Sequence, residues 1–256
     1  VRGRGFLAAA AVLLFAGAAQ ARAVAADLAT PLGTERAAFL AAPGARATVV
    51  LLAGGEGIVP INRLGDSGSG NFLIRTRAMW APYGINAVIL GSPNNRSLMG
   101  QRSGAGYAAA LGAAVDFARS RSNAPVWLVG TSMGSIAAAN GAAHLGPKVA
   151  GVVLTSAVTR VGRRAGEAVS SAGPAAIAVP ALVVANSGDS CQFSPPADAP
   201  GLLASMPASP RKELILVDST ALQSDPCEAL SPHGYLGIEG SVIQRIATWI
   251  NAAPGR

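Results

Sequence analysis

The sequence predicts an α/β protein in which a mostly parallel sheet is covered by helices on both faces. Three observations carry that prediction. From Asp27 onward, short runs rich in Val, Ile and Leu alternate with Ala-rich stretches long enough to be helices. Glycine-rich turns close two of the strand runs, at Ala53-Gly54-Gly55-Glu56-Gly57 and at Gly130-Thr131-Ser132-Met133-Gly134. The chain has 256 residues, half of them apolar, and no internal repeat, heptad pattern or linker divides it. That length suffices for one sizeable core.

Taken in order, Glu35–Ala42 reads as a weak strand turned by Pro43-Gly44, and Ala47–Leu52 as a strong β-branched one. A Gly/Ser/Asn loop leads to a helix expected over Phe72–Trp80, stopped near Pro82-Tyr83-Gly84. Ile85–Leu90 is the next strand. A polar loop, Ser92–Gly106, then precedes an Ala-rich helix from Tyr107 to about Arg119. Pro125–Gly130 is a strand, Met133–Leu145 a helix, and Val149–Leu154 and Val179–Ala185 two more strands. A short helix is expected near Gly201–Met206, a last strand at Glu213–Val217 and a closing amphipathic helix at Ile238–Ile250.

The first 26 residues read differently. Arg2 and Arg4 precede an uncharged run from Phe6 to Ala19, followed by small residues at Ala21-Arg22-Ala23 and Val24-Ala25-Ala26. A basic start, a short apolar core and an Ala-x-Ala site make a secretory signal peptide. The apolar run is shorter than the ~20 residues that span a bilayer. The expectation is a leader at 1–26, a single domain at 27–256, export to the periplasm or the medium, and no stable membrane insertion.

The formal charge of +7 includes three leader arginines; without them 17 of the 20 basic residues face 13 acidic ones, or +4. The remaining arginines are scattered apart from Arg160, Arg163 and Arg164. That pattern excludes a nucleic-acid stripe or a polybasic membrane patch. No metal motif, phosphate-binding glycine loop or dinucleotide fingerprint is present, so no cofactor is implied.

Ser132 stands between two glycines where a strand passes into a helix, the pattern of a nucleophile elbow. The tight turn lifts its hydroxyl clear of the sheet, at a helix N-terminus whose free N–H groups favour developing negative charge. A serine needs a base and an orienting acid. Of two histidines, His144 lies three turns along the helix that follows Ser132, pointing away. His233, in Ser231-Pro232-His233-Gly234-Tyr235 before the last helix, can reach over the C-terminal edge of the sheet. Asp189 follows the strand Val179–Ala185 and reaches the same edge, where ligand sites of open α/β sheets gather. It is favoured as the acid over Asp218, at the end of the next strand, and over Asp225. Asp116 and Asp66 read as solvated.

These residues resemble the α/β-hydrolase superfamily, and more narrowly exported bacterial serine hydrolases. The carriers are Leu52-Ala53-Gly54-Gly55-Glu56-Gly57, Gly130-Thr131-Ser132-Met133-Gly134, Gly188-Asp189-Ser190-Cys191 and His233-Gly234-Tyr235. The resemblance implies an α/β-hydrolase fold with little or no cap domain, since the spacer between Leu154 and Val179 is short. It also implies that the backbone N–H groups of Gly55 and Met133 form an oxyanion hole. Ala53 stands where many relatives carry histidine, which leaves Glu56 as the alternative donor to Gly55. The implied reaction is acyl transfer to water from a small-molecule acyl substrate, with Ser132, Asp189 and His233 as triad. An acyltransferase, a peptidase or amidase, and a non-catalytic binding protein are the other readings of such a chain.

Two further expectations concern loops. Ser92–Gly106 opens at the same sheet edge as the elbow, so Arg96 and Arg102 are candidates to recognise an acidic group on the substrate. Cys191 and Cys227, the only cysteines, flank the proposed acid and base. If those loops meet, a Cα separation of ~5–6 Å and a disulfide follow in an oxidising compartment.

Overall fold

The computed structural model describes residues 23–163 and 166–253. Its centre is one sheet of eight strands: β1 (Val24–Thr30), β2 (Gly33–Leu40), β3 (Ala47–Leu52), β4 (Ile85–Leu90), β5 (Val126–Thr131), β6 (Gly151–Thr155), β7 (Ala181–Asn186) and β8 (Lys212–Val217). Their order across the sheet is β1-β2-β4-β3-β5-β6-β7-β8. The β1–β2 and β2–β4 pairs are antiparallel and all the others parallel. Every residue of β3 to β7 is buried, which is why these strands read as continuous apolar runs rather than alternating ones. The edge strands β1 and β8 are half exposed.

Neighbouring residues of each central strand serve opposite cores. Val50, Leu128, Val152 and Val183 face α2 (Ala105–Arg121), α3 (Met133–Leu145) and α4 (Ala199–Ala204). Val49, Val129, Val153 and Val184 face α1 (Phe72–Arg75) and α5 (Glu239–Asn251), where Trp127 meets Trp249 edge-on at 5.5 Å. The small residues of α3 let it lie close on the sheet. A Cβ at Gly141 would already stand 2.5 Å from a methyl of Leu128.

Most expected elements fall within two residues of their observed bounds, and the departures have local causes. The helix expected over Phe72–Trp80 is a short α1 followed by a 3₁₀ turn at Arg77–Tyr83. At the break, the Thr76 hydroxyl donates to the Phe72 carbonyl at 2.7 Å, capping the last turn of α1. Pro82 cannot restore the α pattern. β1 is an unexpected strand of Ala, Asp and Leu, formed by its hairpin pairing with β2 rather than by propensity. Most of the expected leader, residues 1–22, lies outside the described residues. Its last three residues, Val24, Ala25 and Ala26, are registered against Phe39, Ala38 and Ala37 in β1. Between β6 and β7 the described residues form only two 3₁₀ turns, Val169–Ala172 and Pro174–Ala176, so any cap is small. No helix among the described residues is long and apolar enough to cross a membrane.

Candidate active site

The elbow is built by close approach. A Cβ on Gly130 would overlap the Gly134 carbonyl, and one on Gly134 would overlap the Leu52 carbonyl. Two backbone segments therefore pack where side chains cannot fit. Ser132 between them has φ 53° and ψ −127°, outside the regions an L-residue ordinarily adopts. Holding it there costs ~1–3 kcal/mol. The surroundings that impose it are explicit: the Ser132 N–H donates to the Thr155 carbonyl at 3.0 Å, and its carbonyl accepts from the Ser135 N–H at 2.9 Å and the Ser135 hydroxyl at 2.6 Å.

Asp189 and His233 come from loops after β7 and β8, and the parallel order of those strands brings both to the elbow's edge. Nδ1 of His233 lies 2.8 Å from Oδ2 of Asp189, with both side chains almost fully buried. Oδ1 of the carboxylate accepts the Cys191 N–H at 2.9 Å, and Oδ2 also accepts the Ser194 hydroxyl at 3.1 Å. A buried carboxylate needs such donors to replace the hydration it has lost. The other imidazole nitrogen, Nε2, is buried and has no hydrogen-bond partner among the described residues. His233 and Ser132 line one open cleft of about 560 Å³, together with Gly54, Gly55, Glu56 and Met133. A Cβ on Gly54 would stand 2.8 Å from Cβ of Ser132, so the glycine loop lies directly against the elbow.

The other candidate acids and His144 lie elsewhere. Asp218 is exposed and accepts the Ser187 hydroxyl, Asp225 and Asp116 are exposed, and Asp66 pairs with Arg77 at 3.6 Å. His144 is hydrogen-bonded to the Asn140 carbonyl at 3.0 Å, one turn back along α3. Cys191 and Cys227 are joined by a disulfide with a Cα separation of 4.7 Å, and both touch the cleft.

The reading of Arg96 and Arg102 as substrate contacts does not hold for the cleft. Arg102 has no exposed surface: its guanidinium points inward and donates to the Gly55 carbonyl at 2.8 Å. Its backbone N–H donates to Glu167 at 3.0 Å, and burial pulls its pKa below the ordinary arginine value. Arg96 is exposed and lies outside the cleft lining, to which its loop contributes Met99 instead. A polar loop at the functional edge is the correct address, but the sequence does not say which side chains turn inward.

Several supporting residues carry no sequence signal. Asn186, 1% exposed, accepts the Gly188 and Ser219 N–H groups at 3.1 and 3.0 Å. Its amide nitrogen donates to the Ser219 hydroxyl at 2.9 Å and the Pro232 carbonyl at 2.8 Å. One side chain thus binds the acid loop to the loops before and around His233. Tyr235, which packs on Phe72 at 4.8 Å, donates to the Val184 carbonyl at 2.8 Å and accepts the Ser156 N–H at 2.9 Å. The Ser156 hydroxyl donates to the His233 carbonyl at 2.7 Å. Arg75 ties the Gly234 carbonyl to Glu239 at 2.6 and 2.9 Å. Among the described residues no group of three or more His, Cys, Asp and Glu is placed to hold a metal ion.

No protein-family model matches the sequence, and no curated protein matches it. Solved structures do. A dienelactone hydrolase from Anabaena variabilis is 15% identical, matched over 90% of this chain and 97% of that one with a TM-score of 0.62. An esterase of Pyrococcus furiosus is 12% identical over 91% of both chains, with a TM-score of 0.65. A Xanthomonas campestris protein described as an α/β serine hydrolase without a lid is 18% identical over 91% of this chain and 98% of that one, with a TM-score of 0.57. At these identities the likeness is one of architecture. The chain has the α/β-hydrolase fold.

Proposed function

We propose that this α/β-hydrolase-fold protein is an exported serine hydrolase that cleaves a carboxylic ester-type bond of a small molecule through an acyl-enzyme. One observation carries the reading: His233 has Nδ1 bound to a buried carboxylate and lines the same cleft as Ser132. That is the arrangement a general base requires.

In the proposed reaction Oγ of Ser132 attacks the substrate carbonyl while Nε2 of His233 takes its proton. Asp189 holds the tautomer and stabilises the imidazolium. The backbone N–H groups of Gly55 and Met133 receive the oxyanion, and His233 then returns the proton to the departing alcohol. Water enters, loses a proton to His233 and releases the acid, restoring Ser132. Esterase and hydrolase activities named for the structural neighbours support the same bond type. Export rests on the leader sequence. Cleavage after Ala23, at Ala21-Arg22-Ala23, would leave β1 whole.

The test is a panel of chromogenic esters of graded acyl length, with the mature protein and Ser132→Ala. Turnover by the wild type and a loss of several orders of magnitude in the variant are expected. Fluorophosphonate labelling of Ser132 without turnover of any ester would replace the ester reading with an amidase, peptidase or transferase. Neither labelling nor turnover would overturn it.

A further inference from the structure

Beside the Asp189–His233 pair stands a third polar side chain that the reaction above does not use. Ser194 is 4% exposed. Its Oγ lies 3.1 Å from Oδ2 of Asp189 and 3.0 Å from Nδ1 of His233. The loop that carries the acid also carries this hydroxyl, and it is doubly fixed: the Ser194 N–H donates to the Cys191 carbonyl at 3.2 Å, and Cys191 is held by its disulfide.

We propose that Ser194 is a positioning residue that closes a three-cornered hydrogen-bond ring with Asp189 and His233 and so fixes the imidazole proton on Nδ1. The inference rests on the hydrolase reading for its effect on rate, but the ring itself is a matter of donors and acceptors. A hydroxyl has one proton and two lone pairs, and an ionised carboxylate has only acceptors. The Ser194 proton therefore goes to Oδ2, which turns an oxygen lone pair toward Nδ1. With a proton on Nδ1, every corner of the ring is satisfied. Without one, Nδ1 and Oδ2 would face each other 2.8 Å apart as two acceptors, with a single hydroxyl proton to share between them. The ring thus leaves Nε2 without a proton, the form a base must have.

The same hydroxyl acts again as the reaction proceeds. When Nε2 takes the serine proton, positive charge spreads over the ring, and two oxygens rather than one receive the Nδ1–H. That help is greater in the transition state than in the substrate complex, so it falls on kcat and not on KM.

The experiment compares wild type, Ser194→Ala and Ser194→Thr for ester turnover, thermal unfolding and the NMR resonance of the His233 Nδ1 proton. Expected for Ser194→Ala is a fall in kcat of about ten-fold with KM within about two-fold, together with a displaced or exchange-broadened Nδ1 resonance. Ser194→Thr, which keeps the hydroxyl, should recover most of the loss. Ser194→Val against Ser194→Thr makes the same comparison at nearly constant volume should the alanine variant not fold. An unmoved Nδ1 resonance with unchanged kcat would overturn the proposal. So would a loss of rate that follows thermal instability alone and that threonine does not rescue. The resonance needs no turnover: if the wild type cleaves no ester while removal of the hydroxyl still moves the proton, the hydrolase reading falls and the ring stands.

Discussion

The guanidinium of Arg102, fully buried, donates to the carbonyl of Gly55 at 2.8 Å. This bond runs from the loop before α2 to the glycine loop after β3 and holds that loop from behind. The segment is well anchored for the purpose. Glu167 accepts the N–H groups of Arg102 and Ser103 at 3.0 and 2.9 Å, and Asn140 of α3 donates to the Arg102 and Gly104 carbonyls at 2.8 and 2.9 Å.

Arg102→Met is expected to cost ~1–3 kcal/mol of stability, because the Gly55 carbonyl loses its donor. If the Gly55 N–H serves the oxyanion, activity should fall further than the folded fraction does. Urea unfolding gives the first quantity, and kcat per fluorophosphonate-titrated site gives the second. Equal kcat per site in wild type and variant would make Arg102 a purely structural residue.

Glu35 sets a pH dependence. It stands on β2 with no exposed surface, neither carboxylate oxygen has a partner among the described residues, and burial pushes its pKa up to about 8. The folded chain therefore keeps a proton that the unfolded chain releases. The stability this confers is complete below the unfolded carboxyl value near 4.5 and is lost as pH rises through about 8. The loss has an upper bound of ~5 kcal/mol. Glu35→Gln should flatten the stability profile across that window and be the more stable protein above it. Denaturant midpoints of both proteins measured through the same range check this; parallel profiles would refute it.

The Cys191–Cys227 disulfide closes a separation of 36 residues. Cross-linking a loop of that size stabilises by ~4 kcal/mol in the chain-entropy model. It also bears on the site, since the Cys191 N–H donates to Oδ1 of Asp189. Replacing both cysteines by serine should lower the unfolding temperature and, well below that temperature, still reduce kcat. A variant that loses stability but keeps full kcat would confine the bond to a structural role.

What the sequence reveals of this site and what it hides differ in kind. Ser132 stands out because its two glycines answer a local demand for close backbone approach. His233 is singled out because only two histidines exist and one of them follows Ser132 along the same helix. Asp189 is named because the loops of parallel strands open at one edge. Asn186, Ser194 and Ser156 have no such mark. Each is a small polar residue with at least one partner far along the chain, so its full role exists only once β6, β7 and β8 are side by side. Arg102 misleads for the same reason: a polar loop near the site suggests a solvent-facing cation, and burial against Gly55 is decided by packing that no local pattern records. β1 escapes because a hairpin partner, not its own Ala-rich composition, makes it a strand.

The backbone of Ser132 offers a last test, one that separates stability from chemistry. At φ 53° and ψ −127° an L-residue is strained and glycine is not. Ser132→Ala removes the hydroxyl but keeps the strain, whereas Ser132→Gly removes both. Both variants should be inactive on esters. Ser132→Gly should nevertheless be more stable than Ser132→Ala by ~1 kcal/mol, the relief at φ > 0 exceeding the entropy that glycine adds to the unfolded chain. If the elbow holds its serine in place at the expense of stability, the urea midpoints will rank glycine above alanine. The reverse order would mean that the turn relaxes around any residue and stores no strain.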